Sequence, residues 1–269
     1  FKEITGKNLL EIIYPRGINQ SGNAGETGID FFRMVKGSGS DEDTLLNKTI
    51  YAHPAIFSIE YALAQLMLSI GIKPAAVTGH SIGEYTALCI SGALTLRDAL
   101  TFVTKRAEIL ESAPSGEMLT IDCSLHQIES FLTPALSVSA VNDAGSCVIA
   151  GSIEDIDLLK DILKKESILF RAVKSQKAFH SRLLLSKKDA LKKAWQSIPV
   201  NQPEIPVITN LTGSWLSYEE LTVTEYASSH STGTVRFYDG IRKLIDEQYN
   251  NFIEIGPGQN LTGYVLRSV

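Results

Sequence analysis

Thr78-Gly79-His80-Ser81-Ile82-Gly83-Glu84-Tyr85-Thr86-Ala87 is the stretch of sequence that decides the fold of this chain. Strand-like residues 75–79 precede Ser81, and a helix-like run over residues 83–91 follows it. A Gly-x-Ser-x-Gly pattern between a strand and a helix is typical of a nucleophile elbow, a sharp turn that exposes the serine hydroxyl. The pattern therefore predicts that Ser81 is a nucleophile.

The predicted turn makes demands on the residues around the serine. We expect a strained backbone at Ser81, with Gly79 and Gly83 removing side chains that would clash there. The serine would stand at the N-terminus of a helix, where the helix dipole and free N–H groups favour a developing oxyanion. The backbone N–H of Ile82 is the first of these groups, so we predict that it is an oxyanion-hole donor.

Composition limits the class of protein and its partners. The 269 residues suffice for a large α/β domain with a smaller insert, and 44% hydrophobic and 20% charged residues are ordinary for a soluble globular protein. A net charge of −5 offers no basic excess for phosphates, so nucleic acid is not expected as a partner. No apolar run reaches the ~18 residues of a membrane span, and no signal peptide is evident, so we expect a cytoplasmic protein.

The cysteines predict no disulfide, and the spacing of possible metal ligands predicts no metal site. Cys89, Cys123 and Cys147 are odd in number and far apart, which predicts free thiols in a reducing compartment. No CxxC, HxH or HExxH spacing occurs, so no metal site is predicted.

Two regions of different character follow one another along the chain. Residues 118–179 show a β-α-β-β-α-β pattern, which predicts a small ferredoxin-like subdomain over 116–177. Residues 1–115 and 178–269 are predicted to form a large α/β subdomain around it. The predicted small-subdomain strands are 118–123, 137–141, 146–150 and 168–173, and its helices are 126–132 and 153–165.

The large subdomain has clear helix signals and two further strand signals. Pro54 is predicted to open a helix that Gly71 closes, and Thr95 with Asp98 to cap a helix that runs to about residue 112. The other predicted elements are a polar surface loop over 15–48, a helix over 181–198, buried strands over 206–210 and 251–255, and a last helix from about residue 260.

A serine nucleophile needs a base, and His180 is the best placed of the five histidines. It lies where the insert returns to the large subdomain, so it would border the cleft between the two parts. The side chain of His80 is adjacent to Ser81 and would diverge from it. His53, before the helix-opening proline, is predicted to be a cap or packing residue.

Five features occur in a fixed order from about residue 50 to the C-terminal region. They are Gly79-His80-Ser81-Ile82-Gly83-Glu84, Arg106, Ala178-Phe179-His180-Ser181, Ile208-Thr209-Asn210-Leu211-Thr212-Gly213 and Glu254-Ile255-Gly256-Pro257-Gly258. Together they resemble the malonyl-CoA:acyl carrier protein acyltransferase family, and most of all the acyltransferase domain of modular polyketide synthases. The resemblance implies an α/β-hydrolase-like large subdomain with a parallel sheet, plus the ferredoxin-like insert.

The resemblance also implies roles for individual residues. Ser81 would be the nucleophile that becomes acylated, and His180 the base, oriented by a backbone carbonyl whose matching position here is His230. Arg106 would bind the free carboxylate of a malonyl group, which a planar guanidinium can do bidentately. His80 is grouped with the substrate-binding residues.

The implied activity is transfer of a malonyl-type unit from CoA to the phosphopantetheine thiol of an acyl carrier protein, through an acyl-Ser81 intermediate. It would belong to polyketide or hybrid polyketide/peptide biosynthesis, with no bound cofactor or metal and with a ketosynthase as neighbouring domain. Ile82 and Phe179 match the pattern of family members that select malonyl. Lys177 replaces the usual His of its motif, which leaves hydroxy- and aminomalonyl units open.

One segment of the family pattern has no match here. The family normally begins with a strand and a Pro-Gly-Gln-Gly segment, whose Gln backbone N–H is the second oxyanion donor. We expect this sequence to start beyond that segment. His53 also replaces a residue that is usually Gln before Pro54.

Two other functions remain open on sequence grounds. One is an esterase or thioesterase, which would transfer the acyl group to water, although such enzymes place their His near the C-terminus. The other is a synthase scaffold without activity, which the unmatched N-terminal segment would favour and the presence of Ser81, Arg106 and His180 would not.

Overall fold

The computed structural model describes residues 1–14 and 45–269. The predicted surface loop therefore lies outside the described residues, except for its last four positions, where Leu45–Asn47 forms a 3-10 helix. The α-helices are α1 (Lys2–Thr5), α2 (Leu9–Ile13), α3 (Thr49–Ser69), α4 (Gly83–Ile90), α5 (Leu96–Glu111), α6 (Leu125–Ile128), α7 (Ile153–Lys165), α8 (Lys188–Gln196), α9 (Tyr218–Thr222), α10 (Tyr226–Thr232), α11 (Phe237–Asp246) and α12 (Asn260–Leu266). The strands are β1 (Val77–Thr78), β2 (Glu117–Ile121), β3 (Ser137–Asp143), β4 (Ser146–Gly151), β5 (Phe170–Ala172), β6 (Val207–Thr209) and β7 (Ser214–Trp215).

The large subdomain is built on a short sheet surrounded by helices. β6 lies between β1, with which it pairs in parallel, and β7, with which it pairs antiparallel. The predicted α/β class is confirmed, with a mixed sheet in place of a purely parallel one. The core between the sheet and helices α3, α4 and α5 is apolar and aromatic, with Phe57, Tyr85, Leu88 and Phe102 fully buried.

The predicted strand over 251–255 is wrong. Within the described residues this segment joins neither sheet, and Phe252 and Ile253 are exposed. The short apolar segment is present, but a strand forms only where a neighbouring strand accepts and donates its backbone hydrogen bonds. β1 is at the edge of its described sheet and does not pair with this segment.

The small subdomain has the predicted ferredoxin-like pattern. Its four strands are antiparallel in the order β3-β4-β2-β5, with α6 and α7 as the connecting helices. Every residue of β4 is buried, and Leu119, Ile149 and Ile156 are central to its apolar core. The strands fall within the predicted span 116–177, whose exact limits stay a prediction.

Two helix boundaries differ from the predictions for identifiable reasons. α3 begins at Thr49, ahead of Pro54, because the Thr49 backbone N–H donates to Glu111 at the end of α5 (2.8 Å) and so finds a partner. The predicted helix over 181–198 begins as a 3-10 helix, Arg182–Lys187, before α8. The predicted cap of α5 is confirmed, since the Thr95 hydroxyl accepts from the Asp98 backbone N–H.

Hydrogen bonds join the two subdomains close to the elbow. Val141 and Val235 are linked by a backbone bond of 2.9 Å, and His80 Nε2 lies 2.8 Å from Asn142 Oδ1. Arg267, the residue after α12, donates to the buried Asp143 at the end of β3 (2.7 Å). The elbow is thus fixed against the small subdomain.

Three further sequence expectations concern thiols, membrane spans and metals. Cys89, Cys123 and Cys147 are free thiols, as predicted. In the part of the chain that is described, no helix is long and apolar enough to cross a membrane. The same residues contain no cluster of three or more His, Cys, Asp or Glu side chains able to bind a metal ion.

Candidate active site

The turn at Ser81 has the geometry of a nucleophile elbow. Ser81 has a φ of 52°, in the left-handed region that non-glycine residues rarely adopt, so the predicted strain is confirmed. A Cβ at Gly79 would lie 2.0 Å from the carbonyl carbon of Gly83, which makes glycine necessary there. At Gly83 a Cβ would only reach the Glu60 carboxylate at 3.6 Å, so the predicted clash on that side is wrong.

Asn210 holds the strained turn from both sides. Its side-chain Oδ1 accepts from the Ser81 backbone N–H at 2.7 Å, and its Nδ2 donates to the Gly79 carbonyl at 2.7 Å. Asn210 directly follows β6, the strand paired with β1, and this explains how it reaches the elbow. Although Asn210 lies in one of the five sequence features, its residue type alone indicates no role.

Ser81 and His180 form a hydrogen-bonded pair within the large subdomain, beside its junction with the small one. Ser81 Oγ lies 2.5 Å from His180 Nε2, and His180 Nδ1 donates to the Gly233 carbonyl at 3.0 Å. This second bond places the proton on Nδ1 and leaves Nε2 free to accept from the serine. His180 is itself in a left-handed conformation, with φ 53°.

The carbonyl that orients His180 belongs to Gly233, so the prediction of His230 is wrong. Gly233 ends α10 in an extended conformation (φ −86°, ψ 166°), which turns its carbonyl out of the helix toward the imidazole. His230 lies inside α10. Its side chain contributes instead, because its ring stands edge-on to that of His180 with centroids 5.9 Å apart.

Burial keeps His180 in the form that a base needs. The side chain is 3% exposed, and burial is the main reason why its pKa lies well below the ordinary histidine value. The neighbouring His230, Arg106 and His80 lower the pKa further, against the opposing effect of the bond to Gly233. His180 is therefore neutral at neutral pH and able to accept the serine proton.

A fully buried carboxylate, Glu84, lies behind the pair in the first turn of α4. It accepts from Thr209 Oγ1 at 2.8 Å, from the Asn210 backbone N–H at 2.6 Å and from the Tyr226 hydroxyl. His230 Nε2 lies 3.4 Å from Glu84 Oε2. Although burial raises the pKa of Glu84, the interaction with His230 and the hydrogen bonds from Tyr226 and Asn210 outweigh it. The pKa is lowered, so Glu84 is an anion.

Arg106 is a buried cation that pairs with no carboxylate among the residues that the structure describes. It is 1% exposed, and no described carboxylate forms an ion pair with it. Its Nε donates to Ser231 at 3.1 Å, and its guanidinium lies over the Tyr85 ring, 5.5 Å from the centroid. A buried, unpaired guanidinium is costly unless an anion occupies the site, so the geometry favours the predicted carboxylate-binding role.

His53 connects Arg106 to the predicted selectivity residue, Phe179. Its Nδ1 lies 3.3 Å from Arg106 Nη1, and its ring packs on that of Phe179 with centroids 5.3 Å apart. Burial and the charge of Arg106 lower the pKa of His53 well below its ordinary value, so it is a neutral acceptor. Of the two roles predicted for His53, packing is confirmed by this ring contact, whereas capping is wrong because α3 begins before it.

The two remaining predicted residues lie at the elbow itself. The His80 ring packs against Phe237 and bonds to Asn142, so it joins the subdomains, and its binding of substrate stays a prediction. Ile82 is buried in the core, and its backbone N–H is at the N-terminus of α4, where an oxyanion donor is expected.

The sequence also matches known proteins over most of its length. The profile of the acyl transferase domain family matches residues 1–268. A phenolphthiocerol/phthiocerol polyketide synthase subunit of Mycobacterium tuberculosis is 31% identical over 243 residues, which are 90% of this chain and 16% of that protein. The PKS-NRPS hybrid synthetase acdB of Aspergillus candidus is 32% identical over 81% of this chain and 9% of that protein. The chain thus spans a small fraction of these curated relatives.

Solved structures show the same fold. The acyltransferase domain from the second module of the salinomycin polyketide synthase superposes with a TM-score of 0.80 at 32% identity, over 83% of this chain and 54% of that one. The malonyl CoA-acyl carrier protein transacylase from Burkholderia pseudomallei gives 0.77 at 26% identity, over 83% and 80%. With the serine–histidine pair and the buried arginine, these matches show that the chain belongs to the acyl transferase domain family and is an acyltransferase.

Proposed function

We propose that this domain transfers a malonyl-type unit from CoA to the phosphopantetheine thiol of an acyl carrier protein. One observation carries the proposal: Ser81 Oγ is 2.5 Å from a neutral His180, in the same buried region as an Arg106 that has no described carboxylate partner. The first feature is what acyl transfer needs, and the second is what a dicarboxylic acyl group needs.

The first half of the reaction loads the enzyme. Ser81 Oγ attacks the thioester carbonyl of the acyl-CoA while His180 Nε2 takes its proton. The tetrahedral oxyanion would accept a hydrogen bond from the Ile82 N–H at the start of α4. His180 then donates the proton to the departing CoA sulfur, and the malonyl group remains as an ester on Ser81.

The second half repeats these steps with another nucleophile. His180 takes the proton of the phosphopantetheine thiol, and the sulfur attacks the acyl-Ser81 ester. Collapse of the intermediate returns the proton to Ser81 Oγ and leaves the acyl group on the carrier. The same machinery would hydrolyse the ester if water replaced the thiol, which is the alternative activity.

The sequence departures bear on which acyl group is carried. Phe179, packed on His53 beside Arg106, would occupy the space that an α-methyl group needs, so malonyl is favoured over methylmalonyl. Lys177 bonds to the Ala113 carbonyl at 2.7 Å, so its ammonium already has an acceptor just beyond α5. Hydroxymalonyl and aminomalonyl units remain candidate acyl groups for the transfer. A ketosynthase neighbour and a cytoplasmic location stay part of the proposal.

Intact mass spectrometry tests the proposal directly. The protein is mixed with malonyl-, methylmalonyl- and acetyl-CoA in competition, with Ser81→Ala as the control. A malonyl-sized adduct is expected on the wild type and not on Ser81→Ala. The Arg106→Lys variant should prefer malonyl-CoA over acetyl-CoA less strongly than the wild type does. Rapid release of free malonate would support the hydrolase, and no adduct from any acyl-CoA would support an inactive scaffold.

A further inference from the structure

We infer that Glu84 is a positioning residue for the nucleophile, and that it acts through Asn210. The inference rests on the proposed use of Ser81 as a nucleophile. It concerns a carboxylate that none of the steps above employs.

The elbow needs an external restraint because its conformation is unfavourable in isolation. A non-glycine residue with φ near 52° lies in a sparsely populated backbone region and persists only where the surroundings impose it. The two bonds from the Asn210 carboxamide, one to Ser81 N–H and one to the Gly79 carbonyl, provide that restraint. They join the residues on either side of His80, so the turn cannot open without breaking one of them.

The Asn210 carboxamide can act in this way only if its own backbone is fixed. β6 ends at Thr209, so Asn210 lies beyond the last residue of that strand. The Glu84 carboxylate accepts from the Asn210 backbone N–H at 2.6 Å and from the hydroxyl of the preceding Thr209 at 2.8 Å. Because hydrogen bonds to an ionised acceptor are stronger than neutral ones, the anion fixes Asn210 better than an amide would.

The sequence positions make this arrangement compact. Glu84 is three residues beyond Ser81, and its own backbone N–H donates to the Ser81 carbonyl at 3.0 Å. The serine is thus bonded at its N–H through Asn210 and at its carbonyl through Glu84. Both restraints meet at one fully buried residue, whose carboxylate also accepts from the Tyr226 hydroxyl.

The test uses a reagent that needs no acyl-CoA. A small sulfonyl fluoride modifies an activated serine directly, and intact mass gives both the limiting rate of Ser81 modification and the apparent affinity. Glu84→Gln and Asn210→Ala should each lower the limiting rate about 10²-fold with little change in affinity, as expected for a displaced nucleophile. Malonyl-CoA acylation is then measured on the same variants, where kcat should fall and KM should not.

A double-mutant cycle separates positioning from general damage. If Glu84 acts through Asn210, the double variant should be about as slow as Asn210→Ala alone, because the second change removes a restraint that is already lost. Losses that multiply would overturn the inference. Glu60→Gln is the matched control, because it makes the same change in a carboxylate that contacts α4 through Thr86, and it should leave the rate unchanged.

The outcomes distinguish a loss of folding from a loss of nucleophile positioning. Where Glu84→Gln gives no folded protein, Tyr226→Phe replaces it in the cycle, since it removes one donor from the same carboxylate. An equal loss of rate in Glu60→Gln and Glu84→Gln would also overturn the inference. A wild type that reacts with the sulfonyl fluoride but not with malonyl-CoA would contradict the proposed function and leave the positioning role measurable.

Discussion

Two carboxylates lie on opposite sides of helix α4, and their pKa values are shifted in opposite directions. On the side of the serine–histidine pair, Glu84 is fully buried, yet its pKa is lowered because His230, Tyr226 and Asn210 stabilise the charge. On the other side Glu60, from α3, is only partly exposed, and burial raises its pKa to about 7 against the single opposing hydrogen bond from Thr86. The number of donors, more than depth, decides the charge.

The difference separates the catalytic side of the helix from the structural side. Around Ser81 the strained turn and the Glu84 carboxylate each have fixed hydrogen-bond partners, as pre-organised chemistry requires. Around Glu60 a carboxylate lies against Gly83 and Gly256 with little to stabilise its ionised form. If the two sides are as different as their hydrogen bonds indicate, matched substitutions on each side should have very different effects.

The largest effect should come from removing the base. His180→Ala should lower the rate of Ser81 acylation by at least about 10³-fold, because it removes the group that is hydrogen-bonded to the serine hydroxyl. Stopped-flow or quenched acylation with malonyl-CoA measures this. Thr86→Val, on the Glu60 side of the same helix, should stay within about twofold of the wild type. A similar loss in both variants would contradict the division into two sides.

The two glycines of the elbow should respond very differently to alanine. Gly79→Ala places a Cβ 2.0 Å from backbone, which should cost about 3 kcal/mol or more of unfolding free energy. Gly83→Ala meets only a side chain at 3.6 Å at the start of a helix, so the change should stay within about 1 kcal/mol. Urea denaturation of both variants measures the difference, and equal destabilisation would show that the turn is not limited by that contact.

Glu60 should make stability depend on pH with a definite sign. Its folded pKa of about 7 lies above the ordinary 4.5, so its favourable contribution is complete below 4.5 and is lost as pH rises through 7. That loss amounts to no more than about 3 kcal/mol. Glu60→Gln should therefore be the more stable protein at pH 8 and should show a flatter stability curve between pH 4.5 and 7. The midpoint of thermal unfolding is measured for the wild type and Glu60→Gln across this pH range. Parallel curves of midpoint against pH would contradict the prediction.

The smallest effect should be on substrate choice. Phe179→Ser should raise the kcat/KM ratio of methylmalonyl- to malonyl-CoA by about tenfold, since one methyl group of discrimination is worth only about 1–3 kcal/mol. Phe252→Ser, in the exposed 251–255 segment, is the control and should leave the ratio unchanged. An unchanged ratio in Phe179→Ser would show that other residues around Arg106 determine the selectivity. His53, which contacts Arg106, would then be the first to test.

Local sequence predicts the elbow and the small subdomain well, and it predicts partners in space poorly. Ser81 carries its conformational demand in its own backbone, and β3 and β4 of the small subdomain pair with each other across a short turn. The 251–255 segment has an equally good pattern, yet it forms no strand because pairing depends on a neighbour that its own residues do not specify.

The same limit explains the errors in the site. A matching motif position predicts that His230 orients His180, whereas the acceptor is the carbonyl that leaves α10 at Gly233. Asn210 and Glu84 are visible in the sequence motifs, but a polar residue in a motif does not reveal whether it touches substrate or another side chain. Pro54, after His53, predicts that a helix begins there, whereas the helix begins at Thr49.

The sequence by itself indicated Ser81 as a candidate nucleophile and the two-part α/β plan, because the elbow and the βαββαβ pattern depend on local residue geometry. It indicated His180 and Arg106 as candidate site residues through the motifs that resemble the family. Only the tertiary structure decided which groups 99 to 131 positions apart meet: Ser81 with His180, and Gly79 with Asn210. It also decided the charge on Glu84 and Glu60, since a pKa depends on burial and on the donors that packing brings to it.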